Sequence, residues 1–446
     1  MNRALAPFFA LLLSTGILLV GNGLSSTLVA VRGAIEGFSQ LELGLLGSAY
    51  FAGFMLGCVR CGRVVQIAGH IRAFAAFAGI VSAAALLQAL FPNAIAWAGL
   101  RFLVGFCFAG LYLVIESWLN DRSSNETRGG LLAIYLVVNL GAIMIGQLLL
   151  NAAPARGFVL FAVISILTSL ALVPVSLTRS VQPAPIQQVS LKLKEIFDLS
   201  PVGLIGCLVV GLTTSAFWSL GPVFASTVGL DLQGISFFMT ATILGGALAQ
   251  WPVGRISDSV DRRQVIAGVC LLASAGGILL GSAHLALQWK LIPWLAPEPL
   301  LLATGFLFGA FALSLYSVCV AHTNDHAGAS GDFVSISSTL LLANAAGATL
   351  GPIVAVVGAP WIGMASIFFV TAVMHLGFAG FAVFRMSQSP AVLPEEKTNF
   401  VPMTISGAAP EPVELDPRSN VTDEQAAEGI TPASDWVGPQ SVETVS

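Results

Sequence analysis

Residues 201–227 read PVGLIGCLVVGLTTSAFWSLGPVFAST, 27 residues with no charged side chain. A helix needs about 20 mostly apolar residues to cross the hydrocarbon core of a bilayer. Lipid offers no hydrogen bonds to a bare backbone, so a stretch of this kind is driven to pair its own N–H and C=O groups as a helix. Working outward, similar stretches recur at about 7–31, 42–62, 72–92, 95–119, 130–151 and 157–178 before it. After it they lie at 233–254, 264–285, 300–321, 333–358 and 361–384, twelve in all. The fold class that follows is an all-α membrane protein with twelve transmembrane helices.

Composition agrees. The chain is 56% hydrophobic and 9% charged, with a mean hydropathy of +0.87, whereas soluble domains carry about 25% charged residues. The net charge of −4 is unevenly spread. Residues 386–446 hold ten acids against Lys397 and Arg418, and the other 385 residues hold 13 acids against 17 bases. No basic patch with interleaved aromatics is present, so nucleic acid is not an expected partner. No Lys follows a Gly, which removes a phosphate-binding P-loop, and no triad, HExxH or paired carboxylates occupy one span. The chain does not read as an enzyme, and no cofactor is expected. Cys58 and Cys61 form a CxxC whose sole nearby companion is His70. That is too few ligands for a metal site, so none is expected.

Local signals mark the breaks. Ser39 and Glu42 have the spacing of a capping box, and Asp231 is placed to cap the eighth span. The apolar run near the N-terminus is long enough to span and reads as a retained first helix. The longest polar interruption, 179–199, has an amphipathic second part and reads as a linker on the membrane surface. It divides the chain into an N-terminal bundle, 1–178, and a C-terminal bundle, 200–385, with a disordered acidic tail over 386–446. If the N-terminus is cytoplasmic, 13 of the 17 bases of the membrane part fall on that side. Both termini are therefore expected in the cytoplasm.

The halves read as copies. A shift of 192 residues puts Gly53 on Gly245 and Gly62-Arg63 on Gly254-Arg255; a shift of 200 puts Gly105-Phe106 on Gly305-Phe306; a shift of 205 puts Asn139 on Asn344 and Gly146 on Gly351. Two six-helix repeats with a site between them are a plan that transporters use.

The loop after span eight, Gly254-Arg255-Ile256-Ser257-Asp258-Ser259-Val260-Asp261-Arg262-Arg263, resembles the loop signature of the major facilitator superfamily. The first-half equivalent keeps Gly62, Gly69 and Arg72 but has Gln66 where an acid is expected. Arg101-x-x-x-Gly105 resembles the buried-arginine motif of span four. Gly21-Asn22-Gly23-Leu24, Ser48-Ala49-Tyr50-Phe51 and Gly69-His70-Ile71-Arg72 resemble a bacterial YcaD-like branch.

The resemblance implies two pseudo-symmetric halves, alternating access and no ATP. It also implies that spans one, four, seven and ten line the substrate cavity. That selects Asn22, Arg101, Tyr112, Glu116, Thr214, Trp218 and Tyr316 as cavity residues, and Gly254, Arg255, Asp258, Asp261, Arg262 and Arg263 as a gating loop. Gly53-x-x-x-Gly57 and Gly347-x-x-x-Gly351 permit close helix contact; the resemblance pairs their spans across the two halves as a sliding seam, and the alternative is ordinary packing within each half.

Arg101 and Glu116 share a face of span four but stand about 22 Å apart along it, so they cannot touch. Arg101 reads either as a cavity charge for an anion or as a structural cation. Glu116 is a gate partner of Arg128 or of a second-half residue, or else a solvated helix end. His375, alone in the last span, reads as packing. The expected function is movement of a small solute, anionic or zwitterionic by preference, with protons as a possible coupling ion. The alternative is a membrane-embedded sensor or scaffold.

Overall fold

A computed structural model describes residues 8–121, 125–177, 192–291, 294, 296–327, 333–392, 397 and 400–403, with the side chains of 125–129 and 333–334 outside that set. Twelve helices are long and apolar enough to span a bilayer. The first half supplies α1 Phe9–Ile35, α2 Gln40–Ala68, α3 His70–Leu90, α4 Ala94–Asp121, α5 Gly130–Ala152 and α6 Val159–Ser176. The second supplies α7 Pro201–Thr227, α8 Leu232–Ser259, α9 Arg262–Gln288, α10 Pro297–Ala327, α11 Ser335–Ala355 and α12 Ala359–Met386. The capping box at α2 is formed, with the Ser39 N–H donating to Glu42 Oε2 and the Glu42 N–H to Ser39 Oγ. Asp231 caps α8 through the Gly234 N–H. α10 breaks at residues 313–314, between helical pieces Pro297–Ala312 and Leu315–Ala327. Of the polar linker, Leu193–Leu199 is helical with Ile196 buried.

Packing repeats across the halves. In the first, α2 lies on α4, α1 on α5 and α3 on α6; in the second, α8 lies on α10, α7 on α11 and α9 on α12. The halves meet through α2 on α11 and α5 on α8, a pair that the same exchange turns into itself. Glycines make the intimate contacts. A Cβ on Gly53 would stand 1.8 Å from the Phe102 carbonyl oxygen, and one on Gly245 would stand 2.2 Å from that of Phe306. A Cβ on Gly105 would stand 1.9 Å from Tyr50 O, and one on Gly309 2.0 Å from Thr242 O. Small residues are what let helix backbones approach this closely inside a membrane.

These contacts correct the repeat register of α4 and α10. Tyr50 and Thr242 are related by the 192-residue shift, as are Gly53 and Gly245. Their partners pair Gly105 with Gly309 and Phe102 with Phe306, a shift of 204 rather than 200. The shift of 200 matched similar letters one helical turn away. With the register set by contact, Tyr112 matches Tyr316, and Arg101 matches Gly305.

The halves are clasped at the end of the bundle away from the termini. A Cβ on Gly44 would stand 3.0 Å from Pro352 O, one on Gly47 would meet Ser219, and Asn151 Nδ2 donates to Ser236 Oγ at 3.2 Å.

The expected disordered tail needs a correction at its start. Lys397, Phe400, Val401, Pro402 and Met403 lie against the second half, with Met403 buried. Composition marks this stretch as polar and Pro-rich, but a groove in the fold gives its few apolar residues a place to bury. Residues 404–446 lie outside the described set.

Candidate functional site

A narrow crevice lies where the two halves face each other and is lined by Ser26, Tyr50, Phe51, Arg101, Trp218 and Ser219 among others. Its walls come from α1, α2 and α4 of one half and α7 of the other. Gly105 lets α4 press on the Tyr50 carbonyl, and one turn earlier on α4 the Arg101 guanidinium lies over the Tyr50 ring, 4.4 Å from its centroid. A ring face attracts a cation but leaves its N–H donors free.

Arg101 is 8% exposed. Among the described residues no ion pair joins it to a carboxylate, and its Nε has no acceptor. Trp218 Nε1, a second buried donor in the same crevice, also has none among them. A buried donor without an acceptor costs roughly 1–3 kcal/mol, so this crevice holds unused capacity for a group that accepts hydrogen bonds.

The expected cavity residues fall into three groups. Arg101 and Trp218 share the crevice. Asn22, Tyr112 and Glu116 belong to a polar column beside it. Asn22 lies against Tyr50 and Tyr112, Phe108 stacks between those two rings at 6.5 and 6.0 Å, and the Tyr135 hydroxyl donates to Glu116 Oε1 at 3.4 Å. Arg101 and Glu116 do not touch directly; the tyrosines and Asn22 connect their surroundings. Thr214 and Tyr316 stand apart. Thr214 Oγ1 donates to Val210 O at 2.7 Å, within its own helix, and Tyr316 is buried in a cluster confined to the second half. The Arg128 side chain lies outside the described residues, and with it the proposed Glu116–Arg128 contact.

Of the stretch Gly254 to Arg263, all but Val260 and Asp261 lies in α8 and α9. Asp258 pairs with Arg262 at 3.2 Å, while Arg255 lies near the Trp251 ring at 5.8 Å and Arg263 turns to Asp261 at 2.8 Å. Hydrogen bonds from the Arg263 side chain and N–H outweigh burial and hold the Asp261 carboxyl below its ordinary range. The strongest partner of Arg262 is Asp325, with Nε to Oδ2 at 2.6 Å and both side chains nearly sealed, at 1% and 2% exposure. Asp325 was missed as a site residue. Its signal in the sequence was an acid near the end of a span, in His322-Thr323-Asn324-Asp325-His326, opposite an otherwise unexplained basic pair. Tyr50 was missed because span two is not one the resemblance assigns to the cavity.

The sequence profile of the Major Facilitator Superfamily matches residues 10–331 and, in a second register, 203–413. The chain belongs to the Major Facilitator Superfamily. It is 27% identical over 346 residues to the MFS-type transporter YcaD of Escherichia coli (strain K12 / DH10B), covering 77% of this chain and 86% of that protein. Among solved structures, the nucleoside transporter NupG superposes with a TM-score of 0.68 at 14% identity, over 87% of this chain and 100% of that one. An unoccupied inward-facing bacterial homologue of the lysosomal transporter Spinster gives 0.64 at 15% identity, over 88% and 100%. A D-xylose–proton symporter gives 0.63 at 14%, over 87% and 99%.

The superfamily is one of transporters, not a class of enzymes. The chain is thus an integral, multi-pass membrane transporter of the YcaD-like kind, and it carries a small solute by alternating access between its two halves.

Proposed function

We propose that the solute is anionic or zwitterionic and that it docks in the crevice between the halves on Arg101. The observation that carries this reading is the buried guanidinium of Arg101, held over Tyr50 beside Trp218, with donors to spare and no ion-paired carboxylate among the described residues. A guanidinium presents a planar fork that matches a carboxylate or phosphate bidentately. Asn22 and Tyr112 lie beside the site, and Thr214 and Tyr316 lie outside it in the second half. Glu116, 6% exposed and facing the Tyr135 hydroxyl, is the carboxylate placed to carry a coupling proton. Asp258 and Arg262 steady the gate at the end that bears the termini, and the bundles 1–178 and 200–385 rock about the linker. The excess of basic residues there favours the cytoplasmic side for that end, and the bacterial relative favours an inner membrane.

The test is a thermal-shift screen of purified protein against metabolites, followed by counterflow in proteoliposomes. Arg101→Lys keeps the charge and loses the fork, so binding should weaken with the fold intact. Arg101→Ala should lower affinity about 10- to 100-fold, the effect of losing charge-assisted hydrogen bonds. Normal uptake by a well-expressed Arg101→Ala protein ends the anion reading. Glu116→Gln should spare counterflow and abolish proton-driven accumulation. Reporter fusions at Lys290 should signal the outside, and those at Lys194 and Ser446 the inside; an outside signal at Ser446 defeats this orientation.

A further inference from the structure

α8 packs closely along Pro297–Ala312, the first piece of α10, but draws away from the second piece, Leu315–Ala327. The groove that opens between them, at the end bearing the termini, holds the chain's own tail. Arg263 starts the tail's course, its Nη1 donating to Arg385 O at 3.3 Å and Ser389 O at 3.0 Å. Lys397 Nζ then donates to Val260 O, the carbonyl that ends α8, where a helix attracts a cation. The Phe400 N–H donates to Asp258 Oδ1 at 3.0 Å. The Phe400 ring sits on Gly254 so closely that a Cβ there would stand 2.2 Å from it.

Met403 is held at three points. Its N–H donates to Ser317 Oγ at 2.9 Å, and its carbonyl accepts from Ser317 Oγ at 3.1 Å and from Gln250 Nε2 at 2.8 Å. Its side chain is 4% exposed. Val401 touches both apolar clusters, the one confined to the second half and the large one that runs through both halves. Backbone groups of an extended segment are thus read by Asp258, Ser317 and Gln250, and an aromatic ring by a glycine. That is a built peptide-binding groove whose occupant is part of the same chain.

We propose that Lys397 and residues 400–403 form a resident strap which docks between α8 and α10, occupies Asp258 of the gating loop, and opposes closure of the transporter at the end that bears the termini. α8 is also the helix that meets α5 across the halves. A strap laid on α8 therefore adds bulk where the halves must approach before the clasp at the far end can open. The inference rests on the alternating-access reading, and its test uses no substrate, so the two can fail separately.

The test starts from full-length protein in native membranes with the six native cysteines replaced. Ser317→Cys with Met403→Cys should crosslink under mild oxidation. A single Ser26→Cys, in the far-end crevice, then reports opening there through its rate of labelling by a membrane-impermeant maleimide. Truncation after Glu396 should speed that labelling at least about tenfold, since it removes the five hydrogen bonds of Lys397, Phe400 and Met403 and the loss of two ordinary ones would suffice for that shift. Gly254→Ala, which evicts the Phe400 ring with the tail still present, should move it the same way. Failure of the Ser317–Met403 pair to crosslink shows that the strap is not docked. Unchanged Ser26→Cys labelling in both the truncated and the Gly254→Ala proteins, each monodisperse by gel filtration, shows that docking does not bias the gate. Either result overturns the proposal.

Discussion

Two latches at equivalent places in the two halves differ in kind. In the first half, His70 opens α3 and its Nε2 meets Ser117 Oγ of α4 at 3.0 Å. In the second, the 192-residue shift puts Arg262 at the same first position of α9, where it pairs with Asp325 of α10 at 2.6 Å. The residue before each latch is the N-cap, Gly69 in one half and Asp261 in the other. The backbone is shared, but one latch is a hydrogen bond between small polar groups and the other a sealed ion pair. Along α4 and α10 the contrast reverses. The first half places Arg101 where the second has Gly305, and it carries Glu116 on the same helix. The second half gathers its buried charge where helices are tied at their ends, whereas the first spreads it along α4, from Arg101 to Glu116 beside the Ser117 latch.

Breaking the ionic latch should have the largest effect. Asp325→Ala leaves Arg262 buried without its main partner, which costs roughly 3–5 kcal/mol; Ser117→Ala removes one ordinary hydrogen bond, about 0.5–1.5 kcal/mol. Thermal unfolding in detergent compares the two, and equal losses would break the contrast between the latches.

The shared glycine seam should give an intermediate and symmetrical effect. Gly53→Ala and Gly245→Ala each press a methyl into a backbone carbonyl, at roughly 1–3 kcal/mol of overpacking. If one half tolerates the change and the other does not, the halves are less alike in packing than their register implies. Asp258→Asn should be milder for stability. The side chain is 43% exposed, and pairs of that kind contribute about 0–1 kcal/mol, so its effect should appear in transport rate rather than in melting temperature.

The smallest effect concerns acid. Arg263 holds Asp261 below the ordinary carboxyl value of 3.8 against the pull of burial. A depressed carboxyl contributes stability that is fully present above its unfolded pKa and fades as pH falls through the folded one. Asp261→Asn should therefore lower stability slightly at neutral pH, where the contribution is fully present, and converge with the native protein as pH falls below about that value. A loss confined to alkaline pH would contradict this pairing.

Residues 201–227 show what could be read from the chain alone. Span length and apolarity are one-dimensional properties, and lipid turns them into helices whatever the neighbours do. Capping is local as well, which is why Ser39, Glu42 and Asp231 could be placed from three-residue spacings. The glycine repeat exposed the two halves because glycine at a helix crossing leaves a visible letter. Arg101 stood out because a charge in a span is costly wherever it lies.

Tertiary structure decided the rest. The register of α4 against α10 rests on which carbonyl each glycine presses, and the letters alone favoured a match one turn away. Tyr50 beneath Arg101, Asp325 on Arg262 and Met403 on Ser317 join residues far apart in the chain, and nothing in the local pattern of either partner names the other. A polar, Pro-rich tail reads as disordered until a broken helix leaves a groove deep enough to bury Met403. Hydropathy determined that this chain spans the membrane twelve times; three-dimensional packing alone decided which of its few charges are tied to one another and which lies over a tyrosine ring instead.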